Sequence, residues 1–200
     1  MPPGARTLAS PFDGPTGALA AKVMARANRE AEIEAVDRLA PSPSDTVLVI
    51  GFAPGVGAAL LAARLTSGAV VGVDPSTAML RAATKANRSS IQAGKVTLHL
   101  ASADRIPSPA AVFDGVIAVN TLQLCAPLDA SARELARVMK PGAPLVSLTH
   151  DWALKRHAGS VARWLDQTRA TLERAGFEDV RDYLGRAENG RIVGLSARRG

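Results

Sequence analysis

The stretch VLVIGFAPGVGAA, residues 47–59, decides the fold that this 200-residue sequence predicts. Four apolar residues lead into a turn with glycines at positions 51, 55 and 57, and small apolar residues follow. This order predicts a buried strand, a glycine-rich turn and the start of a helix. Glycines permit positive φ angles and a close approach of a ligand, and amides at a helix start can face a negative group. The turn alone is a weak signal, because several nucleotide-binding classes share it.

An acidic residue ends the next apolar run, in the segment VVGVDPS at residues 70–76. From this position and spacing, the carboxylate of Asp74 is expected to accept hydrogen bonds from both hydroxyls of an adenosine ribose. The alternative is structural, since Asp74 would also be a suitable N-cap for a helix predicted over residues 76–87. The strand-end position favours the ribose role and leaves the capping role open.

Strand and helix patterns alternate along most of the chain. Runs rich in Val, Ile and Leu predict strands at residues 47–51, 69–74, 96–101, 113–119 and 145–149. Because these runs lack strict alternation, they predict a parallel sheet covered by helices on both faces. A helix over residues 158–175 then precedes two apolar segments joined by a Glu188-Asn189-Gly190 turn. That connection is too short for a parallel crossover, so the two segments predict an antiparallel hairpin.

Four segments in this order resemble the class I methyltransferases, specifically the small type 11 group. They are VLVIGFAPGVG, VVGVDPSTAMLRAA, FDGVIAVNTLQ and LARVMKPGAPLV, and the resemblance covers residues 45–199. With the closing hairpin, it implies a Rossmann-like, doubly wound α/β fold with seven strands in the order 3-2-1-4-5-7-6 and strand 7 antiparallel. It also implies S-adenosyl-L-methionine as the cofactor and methyl transfer to a small-molecule acceptor.

The resemblance further assigns cofactor contacts to individual residues. The glycine turn matches the loop that holds the amino-acid end of the cofactor, Asp74 the ribose ligand, and Met79 an apolar contact to the adenine. Ser102 matches a side chain that faces the adenine, the Ala103 amide lies near a ring nitrogen, and Asn120 ends the fourth strand beside the methyl-donor sulfur. The full cofactor-binding set is Gly51, Ala53, Gly55, Gly57, Asp74, Pro75, Met79, Ser102, Ala103 and Asn120.

Two positions depart from the family pattern. Val49 stands where the family has Glu or Asp, which helps to hold the ammonium end of the cofactor, and Ala53 stands where it has Gly. Loss of a charge-assisted hydrogen bond costs about 1.5–3 kcal/mol. Three outcomes remain open: weak cofactor binding, compensation by another group, or a non-catalytic binding module. On this basis Val49→Glu is expected to strengthen cofactor binding.

Catalytic candidates lie where strands end, because open α/β sheets bind ligands at that edge. His150 is the candidate general base and Asn120 the candidate positioning group, with Gln123 and Asp151 nearby in sequence. A base is needed only if the acceptor loses a proton. The alternative for His150-Asp151 is a loop pair without a catalytic role. No metal site is predicted.

Composition and single residues argue against several other functional classes. The net charge is +6, but the arginines are scattered among acids, which argues against a nucleic-acid stripe. Cys125 is the only cysteine, so no disulfide framework is predicted and a cytoplasmic setting is expected. No apolar run is long enough for a membrane span. A short-chain dehydrogenase would need a Tyr-x-x-x-Lys pair, yet Tyr183, the only tyrosine, is followed four positions later by Ala187.

The chain is expected to divide into three parts. Residues 1–14, rich in Pro and Gly, predict a flexible leader, and residues 15–43 predict a helical cap that ends at PSPS. Residues 44–200 form the predicted methyltransferase domain. The cap either covers the active site, or its apolar face serves packing or the formation of a homodimer, and the sequence leaves these alternatives open.

Overall fold

The computed structural model describes residues 17–188 and 190–200, with side chains from residue 25 onward. The helices are α1 (Gly17–Leu39), α2 (Val56–Arg64), α3 (Thr77–Ala86), α4 (Arg88–Gln92), α5 (Leu128–Val138), α6 (Asp151–Ala158) and α7 (Val161–Arg174). The strands are β1 (Thr46–Ile50), β2 (Ala69–Asp74), β3 (Val96–Leu100), β4 (Gly115–Val119), β5 (Pro144–His150), β6 (Phe177–Ala187) and β7 (Gly190–Arg199). The leader at residues 1–14 and Asn189 of the predicted turn lie outside the described residues.

One sheet holds all seven of these strands in the order β3-β2-β1-β4-β5-β7-β6. β1 to β5 pair in parallel, and β7 is antiparallel to both β5 and β6. The predicted strand order and the antiparallel seventh strand are therefore confirmed. The first three strands extend the sheet from β1 to one side, and β4 is added on the other side of β1. The carboxyl ends of β1 and β4 therefore flank the crevice where such sheets bind ligands.

The core consists of two apolar clusters, one on each face of the sheet. Alternate residues of β1 serve the two sides, since Leu48 and Ile50 belong to one cluster and Val47 and Val49 to the other. The first cluster packs under α5 to α7 and includes Trp164. The second packs under α1, α2 and α3. Helices thus lie on both faces, as predicted.

Three helices depart from the sequence expectation, namely α4, α6 and α7. The helix predicted over residues 158–175 begins later, at Val161, because Gly159 adopts φ 72° and Ser160 caps the new start by accepting from the Arg163 amide at 3.4 Å. The preceding residues form the separate helix α6, which begins directly at Asp151. A short helix, α4, also follows Asn87, where no helix was expected.

Helix α1 is fastened across the sheet to the closing hairpin. The Tyr183 hydroxyl donates to the Glu34 carboxylate at 2.9 Å, and the Arg38 guanidinium lies 3.4 Å from the centroid of the Tyr183 ring. Asp37 on the same helix pairs with Arg64 at the end of α2. These contacts hold α1 against β4 and β5. In the described part of the chain, none of the helices combines the length and apolar character required to span a membrane.

Candidate active site

The glycine turn joins β1 to α2 through residues in the left-handed region of backbone space. Gly51, Ala53 and Gly55 have φ angles of 66°, 47° and 91°. Ala53 therefore adopts a backbone conformation that favours glycine, which explains why glycine is the usual residue at this position in the family. An alanine in this conformation costs on the order of 1–2 kcal/mol. Gly55 admits no side chain, because a Cβ would lie 3.0 Å from the Ala83 backbone. The Asn87 amide fixes the turn from below by donating to the Gly55 carbonyl at 3.0 Å.

Asp74 ends β2 and connects this turn to α3. Its carboxylate accepts from the Ala53 amide at 3.0 Å and from the Ser76 amide at 2.9 Å, and the residue is 7% exposed. The N-cap of α3 is Ser76, whose hydroxyl accepts from the Met79 amide at 3.3 Å. The capping role considered for Asp74 thus belongs to Ser76. Asp74 instead orients the glycine turn, and its ribose contact stays a prediction.

The predicted adenine contacts follow the same edge toward β3. The Ala101 amide donates to the Asp74 carbonyl at 3.1 Å, which brings the segment after β3 next to β2. Ser102 is exposed and its hydroxyl donates to Asp104, while Ala103 is half-buried. Met79 is 2% exposed. Pro75 is exposed beside Asp74. These residues share one edge of the sheet, and their contacts with a nucleotide stay predictions.

Asn120 and His150 end β4 and β5 and are joined in a buried polar network. The Asn120 side-chain oxygen accepts from the His150 amide at 2.9 Å, and its Nδ2 lies 3.0 Å from His150 Nδ1. The same Nδ2 donates to the Asn28 side-chain oxygen on α1 at 3.0 Å. Asn120 has φ 51°, a conformation that asparagine tolerates better than most residues. The structure therefore brings the two predicted catalytic residues together.

Burial sets a condition on the predicted base. His150 is 0% exposed and lies within β5, so it is not part of an exposed loop pair. Because His150 is fully buried, its imidazole meets an acceptor only if a neighbouring group moves. Trp152 is the exposed neighbour, with its ring centroid 5.8 Å from that of His150. Gln123 lies farther along the same edge and accepts from the Thr149 hydroxyl at 3.3 Å.

Asn28 and Glu32, one helical turn apart on α1, are site residues that the sequence reasoning missed. Glu32 is 3% exposed, and its Oε2 has no hydrogen-bond partner within the described ranges. Burial raises the pKa of Glu32 to about 8. The available signal was the placement of two polar side chains, four residues apart, among the apolar residues Ala31, Ala35 and Val36.

The remaining candidates lie apart from this network. Burial raises the pKa of the Cys125 thiol, which disfavours the reactive thiolate. Asp151 is half-buried and pairs with Lys155 and Arg191 at 3.3 and 3.2 Å. His157 is exposed. Within the described residues no group of histidine, cysteine and acidic side chains has the arrangement of a metal site.

A sequence model of a methyltransferase domain family matches residues 47–142. The match begins at β1 and ends after α5. It therefore includes the glycine turn, Asp74 and Asn120.

Individual relatives extend the similarity beyond those residues. The uncharacterized methyltransferase YdaC of Bacillus subtilis is 25% identical over 162 residues, which are 81% of this chain and 87% of YdaC. The malonyl-[acyl-carrier protein] O-methyltransferase of a Methylovorus species is 32% identical over 182 residues, 88% of this chain and 60% of that enzyme. Three further methyltransferases match over 42–57% of their own length, so the chain spans about half of several relatives.

The fold is shared with solved structures. A SAM-dependent methyltransferase from Aquifex aeolicus superposes with a TM-score of 0.70 over 91% of this chain and 98% of that one. The two sequences are 20% identical, so this likeness concerns the fold alone.

Proposed function

Because residues 47–142 belong to the methyltransferase domain family, we propose that this chain transfers a methyl group from S-adenosyl-L-methionine to a small-molecule acceptor. The predicted family, the class I methyltransferases, is confirmed by that match and by the relatives. The observation that carries the proposal is the hydrogen bond from the Ala53 amide to the Asp74 carboxylate at 3.0 Å. This hydrogen bond holds the glycine turn next to Asp74 at the carboxyl ends of the strands, beside the crevice of the sheet.

The residues at this edge fit the proposed cofactor. The glycine turn exposes its backbone through positive φ angles, which suits close contact with the amino-acid end of the ligand. The Asp74 carboxylate is held in place by two amides, which suits a hydrogen-bonding partner for ribose hydroxyls. We propose the cofactor-binding set named from the sequence, with Gly51, Gly55 and Gly57 at one end and Ser102 and Ala103 at the other.

Alignment is the main contribution required of the protein. When bound, S-adenosylmethionine supplies a methyl group on a positively charged sulfur, which makes the carbon reactive without help from the chain. Asn120 is fixed by three contacts with two residues, Asn28 and His150, and can hold one orientation beside the reacting atoms. Helix α1 excludes water from the ends of β4 and β5. For an acceptor that must lose a proton, we propose His150 as the base.

Residues 15–43 are proposed as a cap over this site. The apolar side of α1 is used within the chain, since Ala31, Ala35, Val36 and Leu39 are buried in the core cluster on that face of the sheet. This packing favours the covering role over a homodimer formed through the same face. An expected test is the oligomeric state by analytical ultracentrifugation, where a monomer agrees with the cap and a dimer that is broken by changes on α1 contradicts it.

The class of acceptor is proposed from a relative. The Methylovorus relative is named as an O-methyltransferase, which supports an oxygen acceptor on a carboxyl or hydroxyl group. We propose small carboxylic acids as the first acceptors to be tested, with transfer of labelled methyl from S-adenosylmethionine as the readout.

Calorimetry of cofactor binding tests the proposal directly. Asp74→Ala is expected to weaken S-adenosylmethionine binding by roughly 30- to 1000-fold, because the ribose hydroxyls lose charge-assisted hydrogen bonds. Asp74→Asn is expected to be milder, since an amide oxygen still accepts one of them. Asp166→Ala, an exposed change on α7, is the matched control. Absence of binding by the unchanged protein at millimolar ligand, or equal binding by a folded Asp74→Ala, contradicts the proposal.

A non-catalytic binding module is the second candidate. It is favoured by the apolar Val49, by the strained Ala53 and by the complete burial of His150. Both candidates bind the cofactor, so the transfer assay separates them. Tight cofactor binding without methyl transfer to carboxyl, hydroxyl, amine or thiol acceptors would favour the binding module.

A further inference from the structure

A buried acidic side chain, Glu32, lies against the glycine turn, and one of its carboxyl oxygens has no hydrogen-bond partner among the described residues. Glu32 is 3% exposed, and its Oε2 makes no hydrogen bond within the part of the chain that is described. Burial of an ionisable group without compensation is costly, and such groups are found mainly where function requires them. The function described so far does not use this carboxyl group.

The carboxyl group of Glu32 occupies the space beside Gly57, in the first turn of α2. A Cβ added to Gly57 would collide with Oε2 of Glu32 and would lie 3.2 Å from both the Glu32 Cδ and the Ile117 Cδ1. Gly57 must therefore remain a glycine as long as the acid is there. The carboxyl group also lies at the amino end of α2, where the helix dipole favours a negative charge.

This location coincides with the position of the missing acid. Ile117 is the register partner of Val49 on the adjacent strand, and both side chains belong to the cluster beneath α1. Glu32 thus approaches from α1 the face of β1 toward which a carboxylate at position 49 would project. The chain supplies the acid from a helix that precedes the domain instead of from the strand itself.

The surroundings provide no cation for Glu32 within the described contacts. β4 has no titratable residue, and Arg64 is the only one on α2, where it pairs with Asp37 at the far end. On β5 the titratable residue is His150, which is bonded to Asn120. Arg81 and Lys85 on α3 are exposed. Among the residues whose side chains are described, no cation pairs with Glu32, so a bound ligand is a natural source of the compensating charge.

We propose, on the basis of the function proposed above, that Glu32 is a positioning residue for the ammonium group of S-adenosylmethionine, which it attracts across Gly57. Glu32 is protonated in the empty protein and ionised in the complex, so cofactor binding releases one proton from its carboxyl group to the solvent. The ammonium group provides the positive charge that the buried carboxylate lacks, and the carboxylate provides the negative charge that Val49 cannot supply.

The ionisation behaviour of Glu32 agrees with this coupling. Burial raises the pKa of Glu32 to about 8, so the carboxyl group is neutral at pH 7 in the empty protein. A bound cation lowers that pKa, because an opposite charge favours the ionised form. Cofactor affinity is therefore expected to rise with pH up to about pH 8, at most tenfold per pH unit.

Calorimetry in two buffers of different ionisation enthalpy, at pH 6.5, measures the proton directly. The unchanged protein is expected to release between about half a proton and one proton per bound S-adenosylmethionine. Glu32→Gln is expected to release none and to bind at least tenfold more weakly at pH 8. Asp166→Asn, an exposed change on α7 that also removes one negative charge, should behave as the unchanged protein. S-adenosylhomocysteine, which keeps the ammonium group but lacks the sulfonium, should release the same proton.

The outcomes separate this inference from the proposed function. Cofactor binding that is equally tight in Glu32→Gln and releases no proton in either protein overturns the inference and leaves the function intact. Proton release with S-adenosylmethionine alone also overturns it, because the partner would be the sulfonium. No binding by the unchanged protein means that the proposed function fails. If Glu32→Gln does not fold, Glu32→Asp keeps a titrating carboxyl group, and absence of proton release in that variant contradicts the inference.

Discussion

Replacement of Glu32 by glutamine is expected to change how the stability of the protein depends on pH. The pKa of Glu32 is raised from 4.5 to about 8 in the folded protein. Between these values the unfolded chain loses a proton that the folded protein retains, so the free energy of unfolding falls as pH rises. Each pH unit of this interval is worth about 1.4 kcal/mol. Compared with acid conditions, the free energy of unfolding is lower by about 3 kcal/mol at pH 7 and by about 4 to 5 kcal/mol at pH 9.

Glu32→Gln keeps the shape of the side chain and removes the titration. Its amide adds an offset that is constant with pH, so the difference between the two proteins isolates the carboxyl group. The assay is urea denaturation at pH values from 5 to 9 and at fixed ionic strength. From pH 5 to pH 9 the unchanged protein should lose about 4 kcal/mol relative to Glu32→Gln, while Asp166→Asn should follow the unchanged protein.

Parallel stability curves for the unchanged protein and Glu32→Gln would refute the reasoning. They would mean that water or a conformational change solvates the Glu32 carboxyl group, so that its pKa is ordinary. A shift in the opposite direction, with the unchanged protein gaining stability as pH rises, would mean that the group is ionised and paired in the folded state. Either result also removes the physical basis for proton-coupled binding.

Three further changes test other parts of the structure. Asn120→Ala should lower the free energy of unfolding by about 1–3 kcal/mol in urea denaturation, because buried polar partners are left unpaired and alanine is strained at φ 51°. An unchanged free energy of unfolding would contradict the hydrogen-bond network around Asn120. Gly57→Ala should cost about 1–3 kcal/mol through overcrowding, and much less in a Glu32→Ala background; equal costs in both would contradict the contact. The hydrogen bond from Arg137 lowers the pKa of Glu134, so its contribution is present above the ordinary carboxyl pKa and is lost as acid protonates it. Arg137→Met should reduce the fall in thermal midpoint below pH 5, and an unchanged acid profile would exclude this role.

Much of the fold could be predicted because local pattern and global arrangement agree. The glycine turn, the acid at the end of β2 and the short final connection each specify a local geometry, and together they allow few topologies. Boundaries were less predictable where side chains cap the helices. Ser160 caps the start of α7, but a cap depends on a hydrogen bond that a periodic apolar pattern does not reveal.

The site was only partly predictable for a different reason. Residues on the domain's own strands, such as Asp74 and Asn120, occur at fixed distances from recognisable segments. Asn28 and Glu32 reach the site from α1, and nothing in a single sequence states which face of that helix meets which strand. Their role depends on tertiary packing.

The structure also revises the expected effect of a substitution. Val49→Glu was expected to strengthen cofactor binding when the sequence alone was considered. Val49 is 2% exposed and faces α1, on the side where Glu32 already lies. A second carboxyl group there would be buried beside the first without a cation and would crowd it, so we now expect Val49→Glu to destabilise the unchanged protein and Val49→Asp to restore binding only in Glu32→Gln.

The way in which α1 is fastened has a consequence for the order of folding. Its contacts join residues that are 92, 149 and 158 positions apart in sequence, to Asn120, Tyr183 and Glu188. At about 5–20 residues per second, a ribosome would release α1 roughly 8–30 s before the hairpin that holds it. Helix α1 therefore cannot form these contacts until β6 and β7 have been synthesised. The contacts that close the largest loops form late. Native-state hydrogen exchange should find α1 opening before β1 and β4, so that the nascent chain completes its ligand crevice in the final step.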